Sequence, residues 1–398
     1  IDSIIWCDSR SVEIGNQAFL EIGKKKCVDE LLNSPGNFTA SKLYWVKKNK
    51  PEIYEKIYKF MLPGDYIAYK LTGDINTTIN GLSEGIFWDY KNNKISELIV
   101  DYFGFDKSIF PDIVDNFQVQ GRVSKIAFKL TGIPEGTPVR YRSGDQPNNA
   151  LSLNVMNSGE IAATAGTSGV LYALSNNLKS NESLRLNNFA HVNYSLENNL
   201  IGKLLCLNGA GIQYKWIKNI LKYDSYEQMN HVASNVSIGS DNLLIYPYGN
   251  GAERIFNNQV IGTNILNVDL NNTSNKHIVR ATIEGIAFSF IYGLELLEND
   301  NFKSTLFRAG NDNLFQSVVF SKTISVLSEK EIEIYNTTGA YGAARASGFD
   351  KNNLADSSSI QSSSDYIHTI SPKSDEKDKY INAYNNWKEK LKNTIINK

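Results

Sequence analysis

The chain has 398 residues, of which 41% are hydrophobic and 21% are charged, so it can bury a large core. This length suggests two domains, with one large domain as the alternative. The formal net charge of −1 argues against a nucleic-acid binder held by bulk electrostatics.

The first half of the sequence is dominated by helical patterns. The opening "IDSIIW" predicts a short strand, and "RSVEIGNQAFLEIGKKKCVDELLNS" has the apolar spacing of a helix that Pro35-Gly36 ends. "TASKLYWVKKNKPEIYEKIYKFML" predicts a second helix with Thr39 as its N-cap, and "GDYIAYKLTGD" a third that ends at Gly73. Turn signals in "INTTINGLSEGIFWDYKNNKIS" predict a loop or short strands, and "SKIAFKLTGIPEGTPVRYRSGD" then predicts a helix, a turn and a strand.

The second half alternates strands and helices. "GEIAATAGTSGVLYAL" predicts two strands joined by a small-residue turn, "GAGIQYKWIKNIL" an amphipathic helix, and "NLLIYPYGNGAER" a strand followed by a polar loop. A long helix with an apolar stripe follows in "SNKHIVRATIEGIAFSFIYGLELLE", then strands in "STLFRAGNDN" and "EIEIYN", and helices in "TGAYGAARASG" and near the end of the chain. The alternation predicts an α/β protein with a domain boundary near residue 150.

Three loops built from Gly with small or polar residues each follow a predicted strand: "SGDQ", "AGTSG" and "RAGNDN". In α/β sheets, ligands gather at the loops beyond the carboxyl ends of the strands. "AGTSG" (Ala165 to Gly169) suits phosphate because small residues let backbone N–H groups point at an anion, and two hydroxyls add donors. The same composition is also common in tight hairpin turns. From the sequence alone, a hairpin turn is favoured over a phosphate-binding loop.

Asp145 follows the glycine of "SGDQ" and has three roles open to it. It could be a helix N-cap, a ligand of Mg²⁺, or a general base for a hydroxyl group. Local sequence favours the N-cap. "WCDSR" (Trp6 to Arg10) combines an aromatic ring, a carboxylate and a guanidinium, the mixture that grips sugars, although an ordinary ion pair fits equally well.

Cysteine and histidine usage points to a reduced compartment. The three cysteines are an odd number without metal-ligand spacing, and the four histidines are dispersed, so no zinc pattern is present. No apolar run approaches the length of a membrane span. These features predict a cytoplasmic protein that binds neither membrane nor nucleic acid.

Taken together and in order, these segments resemble the FGGY family of carbohydrate kinases over nearly the whole chain. "FTASKLYWVKKN" resembles the first signature of the family, and "HIVRATIEG" resembles the end of the second. "WCDSR", "GDYIAYKLTG", "GDQPNNA", "AGTSGV", "ERIF" and "GAYGAARASG" also fall where the family has counterparts. Within the family, "GDQPNNALSLN" and "RAGNDNLF" are most similar to bacterial members that act on D-xylulose.

The resemblance implies an α/β fold of two actin-like, ribonuclease-H-like ATPase domains with a cleft between them. Residues 1–150 would be the remainder of the N-terminal sugar-binding domain, and residues 151–398 the C-terminal nucleotide-binding domain. The implied reaction is transfer of the γ-phosphoryl group of ATP, with Mg²⁺, to a sugar hydroxyl, most simply D-xylulose to D-xylulose 5-phosphate. The partners would be a small sugar and ATP. Whether the chain forms a homodimer stays an open question.

The same resemblance assigns roles to residues. Asp145 matches the catalytic base, and Gln146 would lie beside it on the sugar. Substrate contacts would also come from Asp8, Arg10 and Asn37. The positions that match the nucleotide side are Gly166, Thr167, Ser168, Gly209, Gln213, Gly310, Asn311 and Asn313.

Two departures from the family pattern leave alternatives open. "AGND" stands where the family has Gly-Gly-Gly-Ala in the adenosine loop, and the family's opening strand with its Asp-x-Gly-Thr/Ser phosphate loop has no counterpart here. We therefore expect an N-terminally truncated kinase whose first domain is incomplete. The alternatives are another kinase of the family, acting on ribulose, gluconate or glycerol, or a non-catalytic relative that binds a nucleotide or a sugar.

Overall fold

The structure is a computed structural model that describes residues 3–350 and 363–396. Within these two ranges, no helix combines the length and the apolar character that a membrane crossing requires.

Helices and strands alternate through most of the described chain. The helices are α1 (Val12–Ile22), α2 (Lys24–Leu31), α3 (Thr39–Asn49), α4 (Pro51–Tyr54), α5 (Pro63–Thr72), α6 (Ile79–Glu84), α7 (Glu97–Phe103), α8 (Lys125–Thr131), α9 (Asp145–Ser152), α10 (Ala210–Leu221), α11 (Tyr226–Ser234), α12 (Asn275–Asn299), α13 (Val318–Ser328), α14 (Gly339–Ala346) and α15 (Lys377–Lys390). The strands are β1 (Asn76–Thr77), β2 (Trp88–Asp89), β3 (Lys94–Ile95), β4 (Asp112–Ile113), β5 (Gly121–Arg122), β6 (Pro138–Val139), β7 (Glu160–Ala165), β8 (Gly169–Ser175), β9 (Asn187–Ala190), β10 (Ile201–Leu207), β11 (Leu244–Glu253), β12 (Gln259–Leu266), β13 (Leu306–Gly310), β14 (Ile332–Tyr335) and β15 (Tyr366–Ile370).

A mixed seven-stranded sheet organises the second half, in the order β15-β14-β13-β7-β8-β10-β9. β13 lies parallel to both β7 and β14, so their carboxyl ends share one edge of the sheet. β8 runs antiparallel to β7 and forms a hairpin in which Ala165 pairs with Gly169. The predicted α/β class is confirmed. The predicted ligand loops "AGTSG" and "RAGNDN" follow β7 and β13 of this sheet, whereas "SGDQ" follows β6, which pairs with β5 in a separate two-stranded sheet.

Helices cover both faces of the sheet. Along β7, Ile161 and Ala163 pack into the large core that contains α12 and α13, whereas Ala162 packs into a smaller core with Ala150 of α9. This alternation is the period-two pattern of a strand that is buried on both sides. α9 and α14 therefore lie on the face opposite the long helix α12.

The first half has its own core, built from α1 to α3, α6 and α7 and rich in aromatic rings. It joins the second half at β9, the edge strand of the sheet. Across this joint the Asn33 side chain donates to the carbonyl oxygen of Asn188 and accepts its backbone N–H. The side-chain amide of Asn80 donates to the carbonyl oxygens of Ala190 and His191. These buried amides fix how the halves meet, and a domain division near residue 150 stays a prediction.

Several details differ from the sequence-based expectations. The predicted second helix is two helices, α3 and α4, which meet at Pro51, and residues 55–62 are not helical. Residues 3–6 do not form a strand, because the Lys42 ammonium group binds the carbonyl oxygens of Ile5 and Trp6. The first predicted helix is two helices, broken at Gly23, where φ is 102°. Thr39 is the first helical residue and not the N-cap, a position that Phe38 holds without a side-chain bond.

A fully buried ion pair anchors a long loop to the sheet. Lys203 on β10 pairs with Asp300, which directly follows α12, and the two side chains are inaccessible to solvent. The Asp300 carboxylate also accepts hydrogen bonds from the Ser180 hydroxyl and from the backbone N–H groups of Asn181 and Glu182. Asp300 thus connects the loop after β8 to both the helix and the strand.

Replacing Asp300 by Asn is expected to lower the free energy of unfolding by about 3–5 kcal/mol, because it leaves the Lys203 ammonium buried without a counter-charge. Urea denaturation followed by tryptophan fluorescence measures the change. Glu298→Gln, an exposed position two residues earlier, serves as control and is expected to change stability by less than about 0.5 kcal/mol. Equal denaturation midpoints for the two variants would show that the pair does not hold this loop.

Candidate functional site

Asp145 is the first residue of α9 and is exposed to solvent. The N-cap is Gly144, without a side-chain bond, so the cap role that local sequence favours for Asp145 is wrong. The side-chain amide of Gln146 donates to Oδ2 of Asp145 over 3.1 Å, so the two predicted substrate-side residues lie together.

The segment Gly166 to Ser168 is the turn of the hairpin between β7 and β8. Its carbonyl groups are bound to the start of α10: the N–H of Gly211 donates to the Gly166 oxygen and that of Ile212 to the Thr167 oxygen, both over 3.1 Å. A Cβ atom on Gly211 would lie 2.0 Å from the oxygen of Gly166, so no side chain fits there. The turn is therefore held rigidly against a helix N-terminus.

Gly209, predicted to contact the nucleotide, precedes α10 and packs against β11. A Cβ atom on Gly209 would lie 1.4 Å from the oxygen of Pro247. The buried Glu253 carboxylate accepts the N–H groups of Asn208 and Gly209, each over 3.1 Å. Burial raises the pKa of Glu253 to about 7, while these two hydrogen bonds act in the opposite direction.

Gln213, also predicted on the nucleotide side, is 5% exposed. Its side-chain oxygen accepts the hydroxyl of Thr263 on β12 over 2.6 Å. Gly209 and Gln213 thus join α10 to the β11–β12 ribbon, which gives both residues a supporting role beneath the hairpin turn.

A cavity of about 270 Å³ lies between α9, α14 and the carboxyl ends of β7 and β13. Four predicted residues line it: Gln146, Gly166, Ser168 and Gly310. Polar residues that sequence reasoning missed also line it: Asn149, Ser152, Thr164, Asp312, Thr337 and Thr338. The structure therefore brings the three predicted loops to one concave site, with substrate-side and nucleotide-side positions on its wall.

The loop after β13 turns sharply at the cavity edge. The N–H of Asn311 donates to the oxygen of Tyr335 over 2.8 Å, and that of Asp312 to the oxygen of Gly310 over 2.9 Å. The side chain of Asn313 lies outside the described part of the chain. Thr337 carries a buried hydroxyl without a hydrogen-bond partner among the described residues, a group that a bound ligand could satisfy.

The other three predicted substrate residues form a separate cluster. Asp8 and Arg10 make an exposed ion pair with 2.6 Å between Oδ2 and the guanidinium, and Arg10 lies over the ring of Trp45. The Arg10 side chain lowers the pKa of Asp8 below its usual range. Both amide atoms of Asn37 are engaged, one with the hydroxyl of Ser11 and one with the Asp8 carbonyl. These contacts match the ion-pair alternative, and the lining of the described cavity does not include the three residues.

Cys206, on β10, lies near both Asp145 and the hairpin turn. Burial, then the charge of Glu253, raises the pKa of its thiol to about 11, with a smaller contribution in the same direction from Asp145 and an opposing hydrogen bond from Ser168. Asp145 and Ser168 therefore act on the same sulfur atom from two elements of the site. A thiol with so high a pKa is a poor nucleophile at neutral pH.

Gly211→Ala is expected to destabilise the protein by about 1–3 kcal/mol, because the added methyl group forces α10 away from the hairpin turn. Thermal unfolding measures the loss, and amide hydrogen exchange should speed up at residues 165–169. Gly64→Ala is the control, since its Cβ atom would lie 3.7 Å from the nearest atom. Unchanged exchange in the Gly211 variant would contradict a rigidly held turn.

Sequence profiles of two domains match this chain. The N-terminal domain of the FGGY family of carbohydrate kinases matches residues 1–152, and the C-terminal domain of that family matches residues 161–321.

Curated relatives include xylulose kinases. That of Staphylococcus xylosus is 26% identical over 357 residues, which cover 86% of this chain and 70% of the relative. That of Haemophilus influenzae is 27% identical over 309 residues, covering 76% of this chain and 61% of the relative. The matched region thus spans about two thirds of these proteins.

Solved structures share the fold. A ligand-bound xylulose kinase from Lactobacillus acidophilus has a TM-score of 0.86 at 19% identity, covering 98% of this chain and 79% of that chain. A Plasmodium falciparum glycerol kinase with ADP has a TM-score of 0.84 at 19% identity, covering 98% and 78%. Similarity at this identity establishes the two-domain architecture.

Proposed function

The chain belongs to the FGGY family of carbohydrate kinases, and from this premise we propose that it transfers the γ-phosphoryl group of ATP to a sugar hydroxyl. D-Xylulose is the proposed acceptor and D-xylulose 5-phosphate the product. The names of the curated relatives support this choice of sugar.

One observation carries the proposal: residues from the acceptor side and the donor side share one cavity. Gln146, next to Asp145, lines the same space as Gly166, Ser168 and Gly310. Phosphoryl transfer depends on positioning and charge stabilisation more than on covalent help from the protein. The Asp145 carboxylate beside Gln146 would position the acceptor hydroxyl, and N–H and hydroxyl donors of the hairpin turn would stabilise the phosphate charge.

Asp145 is proposed as the general base. Its exposed carboxylate would accept the proton of the sugar hydroxyl while that oxygen forms its bond to the γ-phosphorus and the bond to the leaving ADP oxygen breaks. Gln146 donates to Oδ2 of Asp145, which restricts the carboxylate orientation. The position at the start of α9 leaves this carboxylate exposed, as a base that must reach a substrate hydroxyl requires.

The nucleotide phosphates are proposed to bind at the hairpin turn, in residues 151–398. Thr167 and Ser168 offer hydroxyl and N–H donors, Thr337 offers its unengaged hydroxyl, and Gly310 with Asn311 is proposed for the adenosine side. Among the described residues no cluster of three acidic, His or Cys side chains could hold a metal. Mg²⁺ typically binds through phosphate oxygens and water with one or two carboxylates, and it would add charge neutralisation at the phosphates.

Asp145→Asn is expected to lower kcat for sugar phosphorylation by about 10²–10⁴-fold, the usual contribution of a general base. A coupled assay of ADP release with D-xylulose measures the rate, and KM for ATP is expected to stay unchanged. Asp378→Asn provides a matched control, because Asp378 is likewise an exposed acidic residue in the first turn of a helix. Equal turnover by the Asp145 variant and the parent protein would remove Asp145 from the base role.

A substrate panel tests the proposed sugar. D-Xylulose is expected to give a higher kcat/KM than L-xylulose, ribulose, gluconate or glycerol. Preference for another member of the panel would keep the kinase reaction and reassign the acceptor. Calorimetry that detects binding of ATP and a sugar, with no turnover on any acceptor, would instead favour a non-catalytic binding protein.

A further inference from the structure

Glu84 is the last residue of α6, and its side chain reaches the start of α9. A Cβ atom on Gly144 would lie 2.6 Å from Oε1 and 2.8 Å from Oε2 of Glu84, so the carboxylate lies directly against the backbone of Gly144. The nearby N–H of Gly144 favours the charged form of this carboxylate. The carboxylate therefore holds the N-cap residue of the helix whose first residue is Asp145.

The charges around Glu84 are mainly negative. Asp145 faces it from α9 and Asp65 from α5, and three tyrosines with raised pKa values, which stay neutral, also lie near it: Tyr90, Tyr141 and Tyr172. The nearby cation, Arg142, lies 3.3 Å from the Asp65 carboxylate and also binds Asn76. Ionised Glu84 thus adds a second negative charge beside Asp145 where the local cation is already engaged.

We propose that Glu84 is a positioning residue for Asp145, and that its ionisation raises the rate of the phosphoryl transfer proposed above. The charged carboxylate accepts the N–H of Gly144 more strongly than the neutral acid does, because hydrogen bonds to ionised acceptors are the stronger ones. A firmer bond to Gly144 fixes the start of α9, and with it the Asp145 carboxylate at the first position of that helix.

The pKa of Glu84 lies near neutral pH, so a small change in pH changes the charge beside Asp145. Loss of hydration, then the charge of Asp145, raises the pKa of Glu84 from 4.5 to about 7, against the hydrogen bond from Gly144. Glu84 is therefore mostly neutral under mildly acidic conditions and mostly charged under mildly alkaline ones. Perturbed carboxylates next to a candidate base are typical of functional sites.

The first experiment needs no substrate. Because the folded-state pKa of Glu84 is raised, the folded protein holds this proton more tightly than the unfolded chain, and stability decreases as pH rises from about 5 to about 7. Glu84→Gln abolishes this loss, so the Tm of the variant minus that of the parent protein is expected to increase across this range. Glu52→Gln, on an exposed residue, gives a difference independent of pH. A flat difference for Glu84→Gln would overturn the proposal.

The second experiment measures kcat as a function of pH on the full-length protein. The parent protein is expected to gain activity severalfold as pH rises through about 7, the pKa of Glu84. Glu84→Gln should lack this step while KM for the sugar stays the same, since the amide oxygen can still accept the N–H of Gly144. Glu84→Ala, which removes the acceptor, should be slower at every pH. An unchanged pH profile in Glu84→Gln would overturn the role in catalysis.

The two experiments separate this inference from the proposed function. If no sugar is phosphorylated, the kinase proposal and the role of Glu84 in it both fail, whereas the pH-dependent difference in Tm would still establish the raised pKa of Glu84.

Discussion

The candidate site depends on places where the backbone comes too close to other groups for any side chain to fit. The hairpin turn at Gly166 lies on the backbone of Gly211, and the residue before α10, Gly209, lies on the carbonyl group of Pro247. Substituting either glycine would separate α10 from the turn or from β11. These contacts bring N–H groups, a hairpin and a helix N-terminus to one point, which is what an anion site requires.

The polar contacts around these closely packed glycines are mainly buried. Each joins residues that are far apart in the sequence. Glu253 binds the backbone beside Gly209, Glu84 binds Gly144, and Asp300 binds the loop after β8. Each carboxylate thus holds a backbone segment, with its hydration replaced by N–H donors. Asp145 differs from these three, because it is exposed at the end of a helix and its carboxylate stays open to a substrate.

The sequence predicted the parts of the molecule that have strong periodicity or distinctive turns. The long helix α12, the β7–β8 hairpin and the helix after Asp145 follow from apolar spacing and glycine positions. The helix α6 and the strands β9, β10 and β12 were missed, because polar residues interrupt their patterns and tertiary contacts stabilise them. Glu84 and Asp145 lie 61 residues apart in the sequence and meet only through the tertiary fold, so no local signal reveals their proximity.

The contact between α9 and α14 limits how these two helices can move relative to each other. A Cβ atom on Gly342 would lie 2.5 Å from the carbonyl oxygen of Asn148, so the two helices meet in one fixed register. Sliding by one residue would drive a side chain into that carbonyl group. The two joined helices therefore hold Asn149 and Thr338 at a fixed spacing on the cavity wall.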